Sequence, residues 1–367
     1  MSEQQSGSSS GPRPVESGAG DRQQFAATEL AIVLSHFDVG AIESINEFPR
    51  GSRKSPKRLI RTDQGRYLLK RRAPGKDDPY RVAFCHQLQM FLTERHFPLP
   101  HLMGTRKSNN SMLTWNDSTY ELFEYISGSS YDSSLDATAE SGRVLGLFHK
   151  LLRDFKSTYD PPHGSYHQAR SVTTSLQAIA ATLQKKNPSA AGRGDQVERL
   201  TGFMQDAYCD AAKRVETAGL SEWPAQIVHG DWHPGNMLFR GPKVVAVIDY
   251  DAARIQQRIL DVGNGALQFS ILGGSEPPQR WPEYLDVSRF KRFVRATEGD
   301  PDCVLSRAEI VTIPWLMIEA LIAECAIPIA ATGSFARIEG LGFLEMIERK
   351  VRWLQTHAEE LLAMLEA

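Results

Sequence analysis

The rhythm of hydrophobic and polar positions changes along the chain. In FAATELAIVLSHF, Leu30, Val33 and Leu34 recur at helical spacing and Gly40 lies just beyond, which predicts a short helix. AIESINEF, PKRLIRT and GRYLLKRR are of strand length, separated by PRGSRKS and DQG, so an antiparallel meander of three strands is expected next. VAFCHQLQMFLTERHF returns to helical spacing and stops before Pro98, while SMLTW and TYELFEYI read as further strands. Beyond SGSSYDSS the pattern is mainly helical, through ESGRVLGLFHKLLRDF, SLQAIAATLQK, QVERLTGFMQDAYCDAAKRVETA and two long C-terminal segments. The expected class is α+β, strand-rich first and helix-rich later, with the change near Ile126 to Ser134.

Composition adds boundaries. Residues 1–24 carry almost no large apolar side chain and cannot offset the entropy of ordering, so a disordered tail is expected there. At 367 residues the chain is too long for one ordinary core, which suggests a strand-rich unit over 25–125 and a helical unit over 126–367. A formal net charge of -2 gives no support to a nucleic-acid or membrane-surface role. Cys85, Cys209, Cys303 and Cys325 form no C-x-x-C pair, so a reducing, cytoplasmic setting is expected. The most apolar stretch, IVTIPWLMIEALIAECAIPIAA, is interrupted by Glu319 and Glu324 and is not read as a membrane span; these acids are expected on an exposed helix face.

The candidate chemistry lies in IVHGDWHPGNMLFR, followed by the apolar strand VVAVID. His229 and His233 with Asp231 spell H-x-D-x-H, a plausible zinc or manganese cluster, but that reading leaves Asn236 and Asp249 without a part. Asp231 and Asn236 are spaced D-x-x-x-x-N with His229 two before the aspartate, the loop pattern used for phosphoryl transfer to hydroxyl groups. Such transfer needs a proton acceptor, charge neutralisation and alignment. Asp231 suits the first. The oxygens of Asn236 and Asp249 suit Mg2+, a hard cation. Lys70, at the end of YLLK, suits the phosphates of ATP, and Gly51 and Ser52 in PRGSRKS can offer backbone N–H groups to them.

HGDWHPGN followed by VIDYD resembles the aminoglycoside phosphotransferase and choline kinase group, whose members share a two-lobed protein-kinase-like fold and phosphorylate small molecules. The resemblance runs over about residues 25–345 and is most specific over 227–263. It implies a small antiparallel-sheet N-lobe and a mainly helical C-lobe, with ATP and Mg2+ as cofactors and a small-molecule hydroxyl as acceptor. It also implies Asp231 as catalytic base, His233 facing the transferred phosphate, Asn236 and Asp249 as metal ligands and Lys70 as the phosphate lysine. The backbone of Glu124 and Ile126 in YELFEYISG would meet adenine, Asp251 would lie near the metal, and Asp261 in ILDVGN would brace the catalytic loop. Kinases usually pair the strand lysine with a glutamate from the next helix, where this chain offers His86 or Gln87, with Asp77, Asp78 or Glu94 nearby. That departure, with the single glycine of PRGSRKS, leaves a catalytically weak nucleotide-binding regulator as one alternative; a protein Ser/Thr kinase is another. His149 in LGLFHKLL is expected to be core packing.

Overall fold

Alternation along the early strands builds one twisted sheet with two unlike faces. In the computed structural model, which describes residues 22–187, 190, 192–274, 276–336 and 338–366, helix α1 (Ala27–Ser35) precedes β1 (Ile42–Glu47), β2 (Lys57–Thr62) and β3 (Arg66–Arg71). β4 (Leu113–Trp115) and β5 (Ser118–Glu124) complete an antiparallel sheet in the order β1-β2-β3-β5-β4. Successive side chains alternate between faces. Ile60, Tyr67, Leu69, Tyr120 and Leu122 are buried against Val33 and Leu34 of α1 and against Phe37. The register pairs Lys57 with Lys70, Leu59 with Leu68, Lys70 with Glu121 and Leu68 with Phe123, so these six residues share the opposite face. Its apolar members are half-buried and its charged members cluster at one end.

Helix α2 (Pro79–Thr93) follows β3, with Asp78 accepting the Arg81 N–H at 2.8 Å as N-cap and Pro79 at the first helical position. Of the expected tail, residues 22–24 are described, and they are tied down: Arg22 donates to the Pro49 carbonyl at 2.7 Å and the Gln23 N–H to the Arg53 carbonyl at 3.0 Å. Residues 1–21 lie outside the described residues.

After the sheet, the chain crosses to α3 (Leu135–Leu152), α4 (Arg170–Lys186), α5 (Gly194–Thr217), α6 (Ile259–Ser270), α7 (Val287–Thr297), α8 (Arg307–Thr332) and α9 (Gly340–Glu366). Ile313, Leu316, Ile318, Leu321 and Ile322 are buried around the whole circumference of α8, because α4, α5, α6 and α9 pack on it. By length and composition α8 could cross a membrane, but most of it is buried among these helices. Gly142 and Gly146 let α3 and α7 approach closely: a Cβ there would come within 2.2 Å of the Phe293 carbonyl oxygen and 2.3 Å of that of Thr297.

Two short ribbons between α5 and α6 position the chemistry. β6 (Ala225–Val228) pairs with β9 (Arg254–Gln257), and β7 (Met237–Arg240) pairs with β8 (Lys243–Val247), both antiparallel. The loop 229–236 between β6 and β7 therefore lies beside the loop 248–253 between β8 and β9. The crossing segment is strapped to this layer by reciprocal Ser129 and Phe239 backbone hydrogen bonds of 2.8 and 2.9 Å.

Candidate active site

The 229–236 loop is held by side chains that alternate between core and cleft. His229 and Trp232 are fully buried, with His229 between the rings of Phe148, Trp232 and Tyr250. Asp231 and His233, on either side of Trp232, face the cleft and are 46% and 32% exposed. From α6, Asp261 accepts the His229 and Gly230 N–H groups at 2.8 and 2.9 Å, and His149 reaches the same carboxylate at 3.3 Å. Asp261 thus braces the loop, and His149, expected to be plain packing, is part of that brace. Gly230 is required on two counts: its φ is +73°, and a Cβ would stand 2.5 Å from the Ala252 carbonyl oxygen.

Asn236 donates through Nδ2 to Asp231, at 2.8 Å to Oδ2 and 3.0 Å to the backbone oxygen. His233 Nε2 lies 3.4 Å from the same Oδ2, and its Nδ1 accepts the Gly235 N–H at 3.0 Å, which places the ring proton on Nε2. Burial opposes ionisation of Asp231, but the bond from His233, then its charge, outweigh it, and the pKa is held at about 2. Burial likewise opposes charge on His233, and Asp231 more than offsets it, raising the imidazole pKa. Both bonds land on Oδ2, so Oδ1 is the oxygen left for a substrate.

The neighbouring loop is tied to this one by the Ile248 N–H, which donates to the Asn236 carbonyl at 2.9 Å. The next residue, Asp249, adopts φ 66° and ψ 68°, a left-handed conformation that Asp tolerates better than most residues. With Asn236 Nδ2 engaged by Asp231, its Oδ1 is left without a side-chain donor, and Asp249 follows the residue that ties the two loops together. The H-x-D-x-H reading fails on geometry: His229 is turned into the core with Nε2 3.2 Å from the Ile248 carbonyl oxygen, and burial lowers its pKa. Among the described residues no group of three or more His, Cys, Asp or Glu side chains is arranged to hold a metal.

On the sheet's charged end, Lys70 Nζ lies 3.4 Å from Glu121 Oε2 and 3.7 Å from Asp251 Oδ2. Arg72 bridges the same two carboxylates at 2.9 and 2.8 Å. The partner sought for Lys70 on α2 therefore comes from β5. His86, at the helical position that lacks a carboxylate, reaches Glu121 Oε1 at 2.6 Å and Ser111 at 2.8 Å. Burial opposes charge throughout this cluster, yet the ion pairs outweigh it: Lys70 is raised and Glu121 held well below the usual carboxylate range. Glu121 escaped the sequence reading because a strand acid beside Tyr120 and Leu122 carries no motif. Its alternation with those core residues was the available signal.

Ser52 lies in the exposed β1–β2 loop, where its hydroxyl accepts the Lys54 N–H at 3.3 Å. Glu124 ends β5 with its N–H donated to the His101 carbonyl at 2.9 Å, leaving its carbonyl as the group to offer a base, and Ile126 follows two residues on.

The helical side corrects one expectation. Glu319 is fully buried, not on an exposed face, and pairs with His167 Nδ1 at 2.9 Å. Glu324, one turn further along α8, is accessible to water yet crowded enough by protein that desolvation raises its pKa; the charges of His233 and Asp231 act on it, and Gln268 of α6 donates to it.

Residues 44–297 match the family model of the phosphotransferase enzyme family, APH. The chain belongs to this family. A homoserine kinase from Zymomonas mobilis is 24% identical over 229 residues, 61% of this chain and 64% of that protein's length, so the match spans just under two thirds of this relative. The solved aminoglycoside phosphotransferase of Alicyclobacillus acidocaldarius superposes with a TM-score of 0.67 at 17% identity, over 95% of this chain and 98% of its own. An amicoumacin kinase solved with AMP-PNP, Ca2+ and Ami superposes with a TM-score of 0.62 at 10% identity, over 92% of this chain and 94% of its own. The two-lobed kinase-like fold of these phosphotransferases is the fold described above.

Proposed function

We propose that this phosphotransferase-family chain moves the γ-phosphoryl group of ATP to a hydroxyl of a small molecule that carries a cationic amine. The observation that carries the reading is Asp231: a carboxylate held ionised, with Oδ2 bonded by Asn236 and Oδ1 open, on the loop that the Ile248 N–H ties to the loop of Asp249. Leu59, Leu68 and Phe123 on the cleft face offer an apolar cover for adenine, with the Glu124 and Ile126 backbone at its edge. Lys70, steadied by Glu121, takes the α and β phosphates, and the Ser52 loop closes over them. In this reading residues 25–125 serve the nucleotide and 126–367 the acceptor.

Asp231 Oδ1 orients the acceptor hydroxyl and takes its proton as the oxygen bonds to the γ-phosphorus and the bond to the ADP oxygen breaks. His233 keeps the carboxylate turned and stands beside the transferred group. The oxygens of Asn236 and Asp249 suit Mg2+, which, when bound, neutralises charge on the transferring phosphates. Glu324, with Gln268, presents an anionic carboxylate to the acceptor side, which favours an ammonium; the homoserine named in the relative carries one. The regulatory alternative drew on the missing helix carboxylate and on the single glycine of PRGSRKS; Glu121 on β5 pairs with Lys70 and weakens the first ground.

The test is a screen for ADP release with Mg-ATP over amino alcohols, amino sugars and aminoglycosides, set against neutral polyols of equal size. Turnover confined to amine-bearing acceptors is expected. Equal turnover of neutral polyols overturns the acceptor class, and phosphate transfer to added protein alone overturns the small-molecule assignment.

A further inference from the structure

We infer that Lys57 is a second cation for the nucleotide's phosphates, supplied by β2 where the sparse β1–β2 loop offers a single glycine. The inference rests on the nucleotide reading above. Lys57 stands directly opposite Lys70 in the β2–β3 register, on the same cleft face. Side chains opposed in this way lie close, and like charges there are destabilising unless an anion joins them. Lys70 has Glu121 and Asp251 within 4 Å, whereas among the described residues Lys57 has no carboxylate at that range.

Its ammonium rests on backbone instead. Nζ donates to the Arg50 carbonyl at 3.4 Å, a long bond, and lies where a Cβ on Gly51 would be 2.5 Å away, so the head group is parked beneath the loop at its one glycine. The charges that act on it are Lys70 on β3, Asp249 and Asp251 on the metal-side loop, and Arg22 beside the β1–β2 loop. Burial, then Lys70, lower its pKa to about 8. A phosphate group between Lys57 and Lys70 turns their repulsion into two attractions and draws Nζ off the Arg50 carbonyl. The charge a glycine loop provides through backbone N–H groups is provided here by a side chain.

Calorimetric titration of the full chain with ADP and with adenosine separates this role from a structural one. For Lys57→Met, ADP affinity is expected to fall roughly tenfold or more while adenosine affinity stays within about twofold, and Lys57→Arg should keep ADP affinity within about threefold of native. The melting temperature of Lys57→Met should equal or exceed the native value, since a like-charge pair is removed. Native ADP affinity in Lys57→Met, or equal losses for ADP and adenosine, overturns the inference alone. Absence of ADP binding by the native chain overturns the nucleotide reading with it.

Discussion

The two sides of the cleft are held by different physics. The 229–236 loop is fixed by packing and by neutral backbone donors: Trp232 and His229 in the core, and two N–H groups on Asp261. The Lys70 side is fixed by charge: Lys70, Arg72, Glu121 and Asp251 converge from three segments, with His86 behind them. A loop held by packing keeps its geometry whatever is bound. The ion-pair cluster, in which Glu121 Oε2 and Arg72 Nε are buried without a hydrogen-bond partner, is the side expected to respond to a ligand.

Substitutions on each side should therefore fail differently. The largest effect is expected at Asp231: Asp231→Asn removes the proton acceptor but keeps its shape, and steady-state kinetics should show kcat down by roughly 100- to 10,000-fold with ADP binding by calorimetry nearly unchanged. Glu121→Ala leaves Lys70 and Arg72 buried without their shared carboxylate, and urea unfolding should show a loss of about 3–5 kcal/mol together with a raised KM for ATP. Asp261→Ala strands two buried N–H groups at the other side, costing about 2–4 kcal/mol, and here kcat should fall more than ATP affinity does. If both variants lost kcat and KM in the same proportion, the contrast between the sides would not stand.

Smaller effects test the acceptor side. Glu324→Gln should raise KM for an amine-bearing acceptor about tenfold and leave KM for ATP unchanged. The His167–Glu319 pair gives a pH signature. Burial opposes charge on His167, but Glu319 outweighs it and raises the imidazole pKa above 6.5. The folded chain then holds more protons than the unfolded one from about pH 6.5 up to that raised value, so this contribution to stability is complete below 6.5 and lost as pH rises through it. Unfolding midpoints of the native chain should drop as pH rises above 6.5 by more than those of His167→Gln.

What the sequence disclosed follows from the same contrast. The adjacency of the 229–236 and 248–253 loops was legible because Asp231, Asn236 and Asp249 lie on one ribbon pair, and their spacing encodes the hairpin between them. The three-strand meander and α2 were legible from period and turn residues. Glu121 was not, because the register that sets it opposite Lys70 joins strands about 50 residues apart, and a search for a helical glutamate looked in the wrong element. Helix α7 was not legible either: Phe290, Phe293, Val294 and Thr297 form one buried stripe, but the basic residues of SRFKRFVR break up the apolar pattern. Glu319 was misplaced because its partner, His167, comes from a distant loop.

Phosphoryl transfer to a small-molecule hydroxyl at the Asp231 loop is the proposed activity. Phosphorus NMR of the native chain with Mg-ATP and the best acceptor from the screen tests it most directly. A phosphomonoester of that acceptor should appear in step with ADP, and the Asp231→Asn protein should form almost none. Release of inorganic phosphate alone, or ester formation undiminished in Asp231→Asn, would contradict it.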